Sequence, residues 1–175
     1  MATMLRGTAT RGLTGTLTAL VPALVTLACV FIARVPFGVP GLGAIAPLLP
    51  LAAVFFWSIR RPDMLTPLIV FSLGLVDDAL AGTPFGLGAL ILMVVRWIAV
   101  GQRRVFLGKP FALMWWGFAT VASVAAAGAW IVGGLARGAL PPAGPLAVQL
   151  ALALALFPVA AWILGRVDRV IAEAR

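Results

Sequence analysis

The chain has 175 residues, of which 63% are hydrophobic and only 10% charged, with a mean hydropathy of +1.14. An ordinary soluble domain carries about 25% charged residues, so this composition excludes a soluble enzyme or binding domain and points to an integral membrane protein. The net charge of +8 and isoelectric point near 11.9 do not indicate a nucleic-acid partner, because the basic residues lie in short clusters between apolar runs and not along one soluble face.

Crossing about 30 Å of hydrocarbon takes roughly 17 to 25 apolar residues. The sequence predicts an all-α bundle of six such spans forming a single polytopic membrane domain over residues 1–175. The first runs from Leu13 to Ala33. It is too long for the apolar core of a cleaved leader, and Arg34-Val35-Pro36 follows it where a leader would have a small-residue cleavage site. The second runs from Leu42 to Ile59, with Pro47 and Pro50 near its start, the third from Met64 to Ala81, and the fourth from Pro84 to Val100. The fifth, Phe111 to Leu135, is long enough to tilt, and the sixth covers Leu146 to Leu164.

Cytoplasmic loops retain an excess of Lys and Arg. With the N-terminus inside, Arg6, Arg11, Arg60, Arg61, Arg103, Arg104, Lys109, Arg166, Arg169 and Arg175 are cytoplasmic, Arg34 and Arg137 are outside, and Arg96 lies within the fourth span. Both termini are therefore expected in the cytoplasm. Trp57, Trp97, Trp115, Trp116 and Trp162 fall at the predicted cytoplasmic ends of spans and Trp130 near an outer end, where amphipathic indole rings collect.

Catalytic chemistry has few residues to use. There is no His and no Tyr, and the single cysteine, Cys29, reads as a small packing residue. Histidine triads and His/Cys metal sites are thereby excluded, and no cofactor is expected. An intramembrane aspartyl hydrolase needs two carboxylates sharing a proton, but Asp77 and Asp78 are adjacent on one helix and point about 100° apart. Asp63, Asp168 and Glu173 belong to the opposite, cytoplasmic surface. Arg96 lies about 9 Å from Asp78 along the membrane normal by helical rise, so it is expected to snorkel toward the cytoplasmic headgroups instead of pairing with that acid.

The most informative segment is Gly74-Leu75-Val76-Asp77-Asp78-Ala79-Leu80-Ala81-Gly82-Thr83-Pro84-Phe85-Gly86. An ionisable group at membrane depth costs at least about 2.5 to 3.5 kcal/mol on insertion scales, so Asp78 should face protein and not lipid. Gly74, Asp78 and Gly82 recur at four-residue spacing and form one seam for close approach of another backbone. Gly82 suits a left-handed helix end and Pro84 the first turn of the next helix. Both aspartates then sit where the helix dipole disfavours negative charge, which requires an outer-side donor, a partner or protonation.

With Gly74, Asp78, Gly82 and Gly86 at four-residue intervals, the chain resembles the bacterial rod shape-determining MreD family. The loop Trp57-Ser58-Ile59-Arg60-Arg61-Pro62-Asp63 is similar to the form seen in alphaproteobacterial members, and length and span layout agree over the whole chain. The resemblance implies a non-catalytic membrane subunit of the cell-elongation machinery, working with MreC, the MreB filament, RodA and the elongation-specific penicillin-binding transpeptidase in sidewall peptidoglycan synthesis. The motif aspartate corresponds to Asp78. An MreC-like single-span partner is expected to use the seam at Gly74, Asp78 and Gly82, with Pro84 and Gly86 in the turn it covers. The alternative reading is a substrate-binding membrane subunit of a vitamin-uptake transporter of the energy-coupling factor type, for which Ala19-Leu20-Val21-Pro22-Ala23 offers a small-xxx-small docking pattern.

Overall fold

The computed structural model describes residues 20–34, 48–106, 108–140 and 142–173. Every regular element among them is helical: α1 (Leu20–Ile32), α2 (Leu48–Arg60), α3 (Pro67–Ala81), α4 (Leu87–Gly101), α5 (Arg103–Phe106), α6 (Phe111–Arg137) and α7 (Ala143–Glu173). Residues 13–19 of the first expected span and 42–47 of the second lie outside the described residues, as do Arg6, Arg11, Arg175 and Ala19.

Two helices, α6 with 27 residues and α7 with 31, are long and apolar enough to cross a membrane. Only 33% and 17% of their most apolar stretches are buried, whereas the central helix of a soluble protein would hide most of that surface. Helices α3 and α4 have 15 residues each, about 22 Å at 1.5 Å per residue. They are shorter than the expected spans because Thr66 caps α3, its hydroxyl accepting from the Ile69 N–H at 3.4 Å, and because α4 starts only after the turn at Gly86. Helix α7 extends beyond the expected Leu164, through a polar last section that reaches Glu173.

Helix α2 is the hub. Its sequence is apolar on every face, and a helix of that kind is stable only when surrounded; Leu51 through Ile59 are all buried. Phe55 meets the edges of Phe106, Phe118 and Phe157 at ring separations of 6.0, 5.6 and 6.1 Å, while Phe118 and Phe157 stack at 4.0 Å. Gly117 admits the Phe106 ring, since a Cβ there would lie 2.4 Å from it, and so α5 is pinned to the core.

Helix α7 continues through Pro158. Proline has no N–H for the carbonyl four residues back. The orphaned Leu154 carbonyl instead accepts from the indole N–H of Trp115 at 3.0 Å. Trp97, Trp116 and Trp162 are exposed, whereas Trp57 is fully buried in the core because α2 is covered on every side.

Ion pairs and hydrogen bonds sort the two ends of the bundle. At one end Arg61 bonds Asp168 at 2.9 Å, Arg60 lies 3.6 Å from the same carboxylate, and Arg96 donates to the carbonyls of Leu65 at 2.8 Å and Pro62 at 3.2 Å. Arg96 thus points toward the α2–α3 turn and is held by its backbone carbonyls. At the other end Arg34, just past α1, pairs with Asp77 near the end of α3.

Candidate functional site

The chain from Gly74 to Ala89 folds into a tight hairpin of α3 and α4. Gly82 ends α3 at φ +65° and Gly86 precedes α4 at φ +95°, left-handed values that glycine adopts without steric penalty. Pro84 stands in the intervening turn, its carbonyl accepting from the Leu87 N–H at 3.1 Å. It does not occupy the first turn of α4 as expected; the helix begins three residues later because Gly86 reverses the backbone.

A starting helix leaves its first N–H groups without internal acceptors, and Gly86 has no side chain to offer. Asp78 supplies the missing cap from the preceding helix. Its carboxylate accepts from the Thr83 hydroxyl at 2.8 Å and from the N–H groups of Gly86 at 3.0 Å, Gly88 at 2.8 Å and Ala89 at 3.3 Å. Gly88 and Ala89 stand where a conventional N-cap side chain would bond, and the helix N-terminus carries positive partial charge. Asp78 is 2% exposed, so these donors take the place of water. The compensation required for Asp78 at the end of α3 is therefore the donor set of the α3–α4 turn.

Gly74 has a different task. A Cβ there would lie 2.3 Å from the Cα of Ala89, so its absence sets how closely α3 and α4 approach. The seam expected to receive a partner helix is thus occupied by α4 of the same chain. Asp78 closes over the α4 N-terminus and Gly82 faces open space at the helix end. Sequence reasoning missed Gly88, where a Cβ would fall 2.6 Å from an Asp78 oxygen, and Thr83. The Gly86-Leu87-Gly88 spacing was the available signal, and placing the helix start at Pro84 obscured it.

Asp77 faces the other way. The Arg34 guanidinium donates to its carboxylate and, at 3.3 Å, to its backbone carbonyl. A cation beside the end of α3 is also favoured by the helix dipole. Cys29 is half-buried and packs against the core. Among the described residues no group of three His, Cys, Asp or Glu could hold a metal ion.

Behind the hairpin lies a partly open cavity of about 180 Å³. Leu51, Ile91, Leu92, Ala125, Ala126 and Leu150 supply much of its apolar wall, and Arg34, Asp77, Thr83 and Gln149 its polar edge. Five helices and the end of α1 therefore converge at the Asp78 end of the bundle. No protein-family model matches this chain, and no curated protein or solved structure shows significant similarity to it.

Proposed function

We propose that this chain is a multi-pass inner-membrane protein with six spans and cytoplasmic termini. In this reading it serves as a non-catalytic subunit of the bacterial rod complex and helps to organise sidewall peptidoglycan synthesis. The observation that carries the proposal is the division of labour within the motif that resembles MreD: Gly74 brings two helices together, Gly82 and Gly86 turn the chain, and Asp78 locks the turn. Motif residues committed to the shape of one turn suit a protein that presents a fixed outer surface to partners.

Phe85 is the exposed tip of that turn, with 77% of its surface free. Since α4 fills the glycine seam, an MreC-like partner is better served by this tip and by the outward faces of the helices. The cavity weighs against the vitamin-transporter alternative, because small-molecule pockets run to about 300 to 1,000 Å³ and this one is about 180 Å³. Phe85→Glu should leave accumulation and thermal stability unchanged, yet reduce co-purification of the MreC-like partner in mild detergent and fail to restore rod shape in a cell lacking the native protein. Full restoration with normal co-purification would remove the turn from the interface. Tight binding of a vitamin by the purified chain would replace this reading with the transporter one.

A further inference from the structure

The cavity behind the α3–α4 hairpin combines apolar walls with hydrogen-bonding groups that lack partners. At its polar edge the half-buried Gln149 amide makes no hydrogen bond among the described residues, and the Nε of Arg34, buried beside the cavity, has no partner among them either. A donor held away from water without an acceptor is costly, and more so where lipid replaces water. We propose that this cavity binds one acyl chain of a membrane lipid, with the ester carbonyl of that lipid accepting from the Gln149 amide.

Size, charge and continuity each favour that occupant. An apolar cavity of about 150 Å³ accepts a benzene-sized group, so about 180 Å³ suits a bent segment of hydrocarbon chain and is too small for a compact cofactor. Electrostatics favours a neutral acceptor over an anion. Arg34 is already neutralised by Asp77, and the Asp78 carboxylate stands at the same cavity, so a phosphate brought in would meet no free cation. Two of the helices that form the cavity also carry exposed apolar residues, Ile131 and Val132 on α6 and Val148 on α7. In a bilayer those surfaces would bring lipid chains to the cavity edge.

The inference rests on the membrane reading, and the test separates the two. The full chain is reconstituted into phosphatidylcholine nanodiscs containing a diacyl lipid with a diazirine in one acyl chain, illuminated, and mapped by mass spectrometry. Crosslinks are expected at Ala126, Ala129 and Leu150 as well as at exposed Ile163. An ester-linked competitor should displace the cavity crosslinks better than its ether-linked analogue. Ala126→Phe should lose the cavity crosslinks while Ile163 stays labelled. Gln149→Leu, at a half-buried position, should abolish the ester preference, and it serves as the deciding variant if Ala126→Phe fails to fold. Labelling at Ile163 without cavity labelling, cavity labelling unchanged in a folded Ala126→Phe protein, or equal competition by ester and ether lipids would overturn the inference. Absence of labelling everywhere would instead overturn the membrane reading on which it depends.

Discussion

Asp78 shows how one side chain can serve a helix it does not belong to. Its carboxylate is the acceptor for two α4 N–H groups, for that of Gly86 just before the helix and for one hydroxyl, and each buried donor left without a partner costs about 1 to 3 kcal/mol. Asp78→Ala is therefore expected to lower the thermal midpoint of the detergent-solubilised protein by about 5 °C or more. Asp78→Asn, which keeps one acceptor oxygen, should fall between that variant and the parent. Gly88→Ala should approach the effect of Asp78→Ala without altering any charge, because its Cβ would lie 2.6 Å from the carboxylate oxygen. Exposed Asp63 is the control, and Asp63→Ala should leave the midpoint in place. An unshifted midpoint in both Asp78→Ala and Gly88→Ala would show that the cap contributes nothing to the fold.

The α3–α4 pair separates two uses of glycine that look alike in sequence. At Gly74 an added Cβ would overlap the Ala89 backbone at 2.3 Å, whereas at Gly82 it would meet nothing and suffer only from φ +65°. Backbone cannot move aside as a flexible side chain can, so Gly74→Ala is expected to destabilise by about 1 to 3 kcal/mol through overpacking. Gly82→Ala should be the milder change and Gly82→Asn milder still, since asparagine tolerates the left-handed cap; detergent melts would check the order, and a Gly82→Ala loss exceeding that of Gly74→Ala would reverse the assignment. The sequence made α6 and α7 legible through long apolar runs, and the hairpin turn through Gly82 and Gly86. It did not reveal that Asp78 caps α4, because that inference needs the helix to start at Leu87 and not at Pro84. Arg34 with Asp77, and Trp115 with the carbonyl freed by Pro158, were hidden for another reason: each pair joins elements about forty residues apart, and only packing brings them together. The cavity was equally illegible, since no single helix contains it.

Across the whole molecule, charge divides along the bundle. The α2–α3 turn, the end of α4, α5 and the last part of α7 gather Arg60, Arg61, Arg96, Arg103, Arg104, Arg166 and Arg169 at one end, where Asp168 pairs with Arg60 and Arg61. The Asp78 end has Arg34, already paired with Asp77, and Arg137 at the end of α6. In the proposed topology this basic end is the cytoplasmic one, because translocating Lys and Arg near span ends is disfavoured. The cavity and the Phe85 tip would then face outward, where a periplasmic partner can reach them. Reporter fusions within Gly101 to Pro110 and after Glu173 are expected to read cytoplasmic, and one near Ala139 periplasmic. Moving positive charge to the Asp78 end should weaken that preference, so Phe85→Lys combined with Arg103→Ala and Arg104→Ala should give mixed readings at Ala139. A uniformly periplasmic reading after Glu173 in the parent chain would discard the six-span topology, and with it the assignment of the hairpin to the outer face.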